Sequence, residues 1–177
     1  MTMKRIWLPA LAAAMTACVI VSAPFTAGGA DDNRSPIYDI TIPAGFRDWA
    51  LVNVAHEAAN LNDFRAVLGN AIAIKAFREA TLPFPDGAII ARLAWKYVPS
   101  EENNVVFGKA QSFVTGAPTN LELMVKDSNK YATTAGWGFA QFTNGKPDDE
   151  ALHKTCFPCH QPAKGHDYLF THYAPSP

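Results

Sequence analysis

Charge is scarce in this chain. Only 18% of its 177 residues are charged, and the formal net charge is −1. There is no basic stripe, so the electrostatic footprint of a nucleic-acid binder is missing. Nor does an acidic or polybasic tail mark an interaction arm. Cysteine is sparse as well, at 3 residues, which excludes the scattered set that staples a small secreted domain. Of the 4 methionines, only Met124 lies beyond the first 30 residues. Repeats, low-complexity tracts and internal linkers are also lacking, and the length suits one ordinary domain.

The first 30 residues stand apart. Lys4 and Arg5 precede an apolar run, IWLPALAAAMTACVIV, over 6–21. That run contains Pro9 and falls short of the ~20 residues a spanning helix needs. Gly28 and Ala30 then supply a small-x-small cleavage site. We read residues 1–30 as a secretory signal and 31–177 as a single mature domain, periplasmic and free of the membrane after cleavage. Cys18 leaves with the signal, so the mature chain keeps one tight pair, Cys156 and Cys159.

Residues 31–36, DDNRSP, read as a disordered lead-in. Strand-like stretches bounded by Gly, Pro, Asn or Asp follow at 48–55, 87–98, 105–116, 119–126 and 136–144. AIAIKAFREA, at 71–80, reads as a helix capped by Asn70. A second helix starts near Pro147-Asp148-Asp149-Glu150, with acidic residues in its first turn, and runs toward His160. The expected class is α+β: a largely antiparallel sheet, a few packed helices, and a C-terminal helix bearing the cysteines.

Those cysteines sit in TCFPCH, residues 155–160. CxxCH is the attachment signature of c-type haem. Its thiols form thioethers with two vinyl groups on one edge of the porphyrin, and the adjoining histidine reaches the iron. On a helix Cys156 and His160 share a face. Two other chemistries use similar residues. A thioredoxin-type pair expects a βαβ surround, and none is visible. A zinc site combining Cys156, Cys159 and two of His160, His166 or His172 lacks the usual second ligand pair. One covalent haem c, with His160 as axial iron ligand, is the expected cofactor.

A small electron-transfer cytochrome needs a sixth ligand. Little chain follows His160, and it contains no Met. Met124 lies among Leu121, Leu123 and Val125, a setting typical of core packing. His153 is seven residues before His160, about 10 Å along the same helix face, and cannot reach the far side of that iron. His56, His166 and His172 are the remaining candidates. An open distal iron position is the expectation, which suits binding a small molecule. Cytochrome c′ also combines a C-terminal CxxCH with open iron, but it is a helical bundle and the strand-like segments do not fit it.

Five stretches, taken in order, resemble the cytochrome P-460 family: GFRDWALV (45–52), FPDGAIIARL (84–93), LMVKDSNKYA (123–132), GWGFAQF (136–142) and TCFPCH. The resemblance implies an α+β, periplasmic haem domain, often a homodimer, with a small gaseous or nitrogen-oxide ligand and a redox partner cytochrome. One branch of the family cross-links a lysine to the haem and oxidises hydroxylamine. The other, cytochrome c′-beta, lacks the cross-link and binds nitric oxide and carbon monoxide beneath a phenylalanine cap.

The position matching the cross-linking lysine is Arg92, five residues after Gly87. A guanidinium stays protonated and is a poor nucleophile, so the resemblance to the cross-linked branch fails at this residue. Lys96 shares the strand face but lies roughly 13 Å further along. Arg92 is then expected beside the haem, pairing a propionate or a bound anion. Phe64 is the expected distal cap, chosen over Phe77, Phe84, Phe107 and Phe113. The expected function is a nitric-oxide-binding mono-haem cytochrome; the alternatives are hydroxylamine oxidation and simple electron transfer.

Overall fold

The computed structural model describes residues 33–174. The expected signal over 1–30 and the expected start at Asp31 lie outside the described residues. Six antiparallel strands pair strictly in chain order. They are β1 (Ala50–Glu57), β2 (Asp63–Gly69), β3 (Ile89–Pro99), β4 (Phe113–Lys126), β5 (Trp137–Thr143) and β6 (Lys146–Pro147). Helices α1 (Ala71–Glu79), α2 (Glu101–Phe107) and α3 (Glu150–His160) fall between or after them. The class is α+β, as the segment pattern led us to expect.

Local chemistry explains the joints. The Asn70 side chain accepts the Ala73 N–H at 2.9 Å, capping α1, and its amide donates to the Gly87 carbonyl at 2.8 Å. One residue thus starts the helix and ties it to the turn before β3. Ala73, Ile74 and Ala76 pack the helix into the core beside Val52 and Val67. On β5, a Cβ at Gly138 would stand 2.4 Å from Tyr131 Cζ, so only glycine lets that ring lie on the strand. The Tyr131 hydroxyl in turn donates to the Tyr38 carbonyl at 2.9 Å.

Three expectations need correction. First, the lead-in is ordered from Asn33 onward: Ser35 is buried and its hydroxyl accepts the Ile40 N–H, seating Tyr38 and Ile40 in the core. Second, residues 105–107 are not strand but the end of α2. Ser100 caps that helix through the Asn103 N–H, Glu101 and Glu102 fill its first turn, and Gly108 ends it in the left-handed region. Third, the segments expected as separate strands over 105–116 and 119–126 join from Phe113 onward in one strand, β4, which absorbs Gly116 and Pro118 as irregularities instead of breaking there.

Those irregularities settle which residues share a face. The β3–β4 register slips between Leu93 and Trp95 and again between Trp95 and Tyr97. Both times the extra residue falls on β4. The β2–β3 register is unbroken, pairing Asp63 with Lys96, Phe64 with Trp95 and Val67 with Arg92. Strand alternation therefore puts Val67, Arg92, Glu122 and Gln141 on one face. Phe64, Trp95 and Tyr97 occupy the other.

Candidate functional site

Helix α3 delivers the CxxCH motif to the Arg92 face of the sheet. Asp149 caps it by accepting the Leu152 N–H at 2.9 Å, and Glu150 pairs with Lys154 one turn on. Two further bonds close the β5 edge against the helix. The Gln141 carbonyl accepts the Asp148 N–H at 2.9 Å, and the Gln141 N–H donates to His153 Nε2 at 3.0 Å. His153 Nδ1 then donates to the Asp149 carbonyl at 2.7 Å. Fully buried, His153 uses both ring nitrogens structurally and is unavailable to a metal.

His160, one turn after Cys156, points its ring between Phe139 and Phe170, with centroids at 5.0 and 5.2 Å. Its Nδ1 donates to the Tyr168 carbonyl at 2.7 Å, so Nε2 is the nitrogen left for a metal. Burial pushes its pKa down, with a smaller push from the Arg92 charge, while the Tyr168 bond acts the other way. The neutral form, the one that ligates iron, is favoured. Cys156 and Cys159 are both free thiols. Burial and then Cys159 raise the Cys156 thiol, while Tyr38 is raised by its own burial and then by Cys156. Tyr38 meets Phe139 edge-on at 5.7 Å, so Tyr38, Phe139 and Phe170 form an aromatic wall around the motif.

Arg92 faces this wall. Its Nε donates to Glu122 at 2.7 Å and its Nη2 bonds the other carboxylate oxygen, a bidentate pair across β3 and β4. Its Nη1 is buried without a partner among the described residues. Arg65 stands on the same face, bonded to Asp63 and paired with Glu57. Burial, then the Arg65 charge, lowers the Arg92 pKa to about 10, against the pull of Asp63 and Glu57. The guanidinium remains charged at neutral pH. Its protein partner is Glu122, which the sequence reading did not single out.

The other expected residues lie apart from this cluster. Lys96 is exposed, opposite Asp63 and four residues along the Arg92 face. Phe64 is on the reverse face, in an aromatic group with His56 and Tyr97 at 5.8 and 4.7 Å; the structure does not bring it to His160. Phe77, on α1, meets Phe84 edge-on, Phe107 is exposed on α2, and Phe113 stacks on Tyr97. Met124 is core, between Ile90 and Phe139 in the register. His56 stacks on Tyr97 at 4.0 Å, and His166 meets His172 edge-on at 4.9 Å. The segment after His160 supplies the Tyr168 carbonyl; a backbone acceptor has no side-chain signature by which to find it. The cavity of about 640 Å³ between Trp49, Gly69 and α1 shares no residue with the His160 surroundings.

Two free thiols, an imidazole with Nε2 spare and a part-buried guanidinium with one nitrogen unpartnered fit a covalently held haem. The site defines a c-type haem protein. The Cytochrome P460 family model matches residues 43–171, most of the chain, and the chain belongs to that family. Comparison with curated proteins returns no match. Family members bind haem c; in this chain α3 carries Cys156, Cys159 and His160, the residues that could hold it.

Proposed function

We propose that this protein binds nitric oxide at a haem iron with one axial protein ligand, His160, and no lysine–haem bond. The observation that carries this is the engagement of His153 and the burial of Met124, two of the alternative sixth ligands. His153 spends both nitrogens on α3 and β5, Met124 is packed in the core, His56 lies on the reverse face, and His166 and His172 face each other. Haem supplies an iron site for a diatomic ligand. The chain orients His160 through Tyr168, sets Phe139 and Phe170 against its ring, and holds a positive charge at Arg92.

Hydroxylamine oxidation by the cross-linked branch is disfavoured on this reading. Arg92 occupies the lysine position and is held bidentately by Glu122, while Lys96 is exposed and displaced along the strand. A periplasmic location is part of the proposal, resting on the signal-like N-terminus. No helix among the described residues is long and apolar enough to cross a membrane. A homodimer and a redox partner cytochrome belong to the same proposal, on the family resemblance alone. The test is the intact mass together with the ferrous spectrum before and after nitric oxide. Thioether attachment alone and a five-coordinate spectrum that changes with the gas are expected. An added bond from Lys96 to haem would overturn the ordering in favour of the enzyme.

A further inference from the structure

The Tyr168 carbonyl reaches His160 because two consecutive non-glycine residues, Asp167 (φ 50) and Tyr168 (φ 67), turn through the left-handed region. L residues enter that region reluctantly, so neighbouring contacts must hold them there. The contacts are specific. Asp167 accepts the Phe84 N–H at 2.8 Å. Lys126, at the end of β4, donates to both Asp167 oxygens at 3.1 and 3.0 Å and to the Ala135 carbonyl at 3.2 Å. Its ammonium also sits 4.8 Å from the Trp137 ring centroid. Both side chains are buried, at 6% and 8% exposure, and three acceptors meet the three N–H bonds of the ammonium. Tyr168, the residue after Asp167, is the one whose carbonyl accepts the His160 Nδ1–H.

We propose that Lys126 and Asp167 are positioning residues for the iron ligand: their ion pair holds the Tyr168 carbonyl on His160 Nδ1. A firm acceptor on the outer nitrogen fixes ring orientation and makes the imidazole a stronger donor to the metal. This rests on His160 as the ligand, not on which gas the iron takes. Loosening the pair weakens that bond, lowers the donor strength of His160 and raises the haem reduction potential.

The test uses the haem-loaded protein and two variants. Asp167→Asn keeps an acceptor for the Phe84 N–H. The double variant Lys126→Met/Asp167→Asn leaves no buried charge unpaired. The iron–histidine stretching frequency of the ferrous form and the reduction potential are read in each. A lower frequency and a higher potential are expected in both. His153→Gln, which loosens α3 from β5 without touching the Tyr168 carbonyl, should lower stability and move neither. Unchanged frequency and potential in a folded Asp167→Asn protein overturn the proposal, as do equal shifts in His153→Gln. A wild-type ferrous protein that is six-coordinate contradicts the open-iron reading instead, and the potential still decides this one.

Discussion

Strands β3 and β4 each contribute a cation to an ion pair, and the two pairs are built differently. Lys126 and Asp167, 41 residues apart, are almost sealed from solvent and satisfy each other. Arg92 and Glu122 face each other on adjacent strands at 19% and 32% exposure, and one guanidinium nitrogen is left without a partner. A closed pair holds backbone in place; an incomplete one has capacity for something else. The difference separates a scaffold from a site on neighbouring strands of one sheet.

Breaking the closed pair should have the largest effect. Lys126→Met alone strands a buried carboxylate, and chemical denaturation should show a loss of about 3–5 kcal/mol. A loss near zero would mean that the pair is no firmer than Arg92–Glu122. His153→Phe, which orphans the Gln141 N–H, should cost about 1–3 kcal/mol by the same measurement.

Arg92→Leu is the sharper half of the comparison. Its pair is part-exposed and incomplete, so stability should fall by about 1 kcal/mol or less. Nitric oxide dissociation from the ferrous protein should nevertheless change measurably in stopped flow. A large stability loss with unaltered ligand kinetics would make Arg92 scaffold and erase the contrast.

The smallest effect belongs to Asp86 at the turn before β3. Bonds from the Ser128 hydroxyl and backbone N–H hold its carboxyl below the ordinary carboxylate range. The sign follows from a folded pKa below the unfolded one. Its contribution is present above the unfolded value and lost as pH falls through the depressed folded one. Asp86→Asn should flatten that small acid-side loss in thermal unfolding followed from neutral to acid pH.

The sequence was most legible where chemistry demands a spacing. CxxCH marks itself because two vinyl groups and one iron fix the interval, and Asn70 announces α1 because a cap must precede the apolar periodicity. It was least legible where pattern and partner conflict. Val105, Val106 and Phe107 look like strand, yet the Ser100 cap, the acidic first turn and Gly108 were helix signals in plain view, outweighed by apolar side chains that in fact stay exposed. Strand β2 escaped because Asp63 and Arg65 interrupt its apolar pattern; in the fold the buried Asp63 and part-buried Arg65 pair with each other. Lys126 with Asp167, and Arg92 with Glu122, are invisible before folding because nothing local links either pair.

The most direct measurement is the ferrous absorption spectrum of the purified holoprotein before and after nitric oxide, with its intact mass. An open site predicts a high-spin, five-coordinate spectrum that shifts on adding the gas, and a mass with one haem held by two thioethers. A six-coordinate, low-spin ferrous spectrum indifferent to nitric oxide would contradict it.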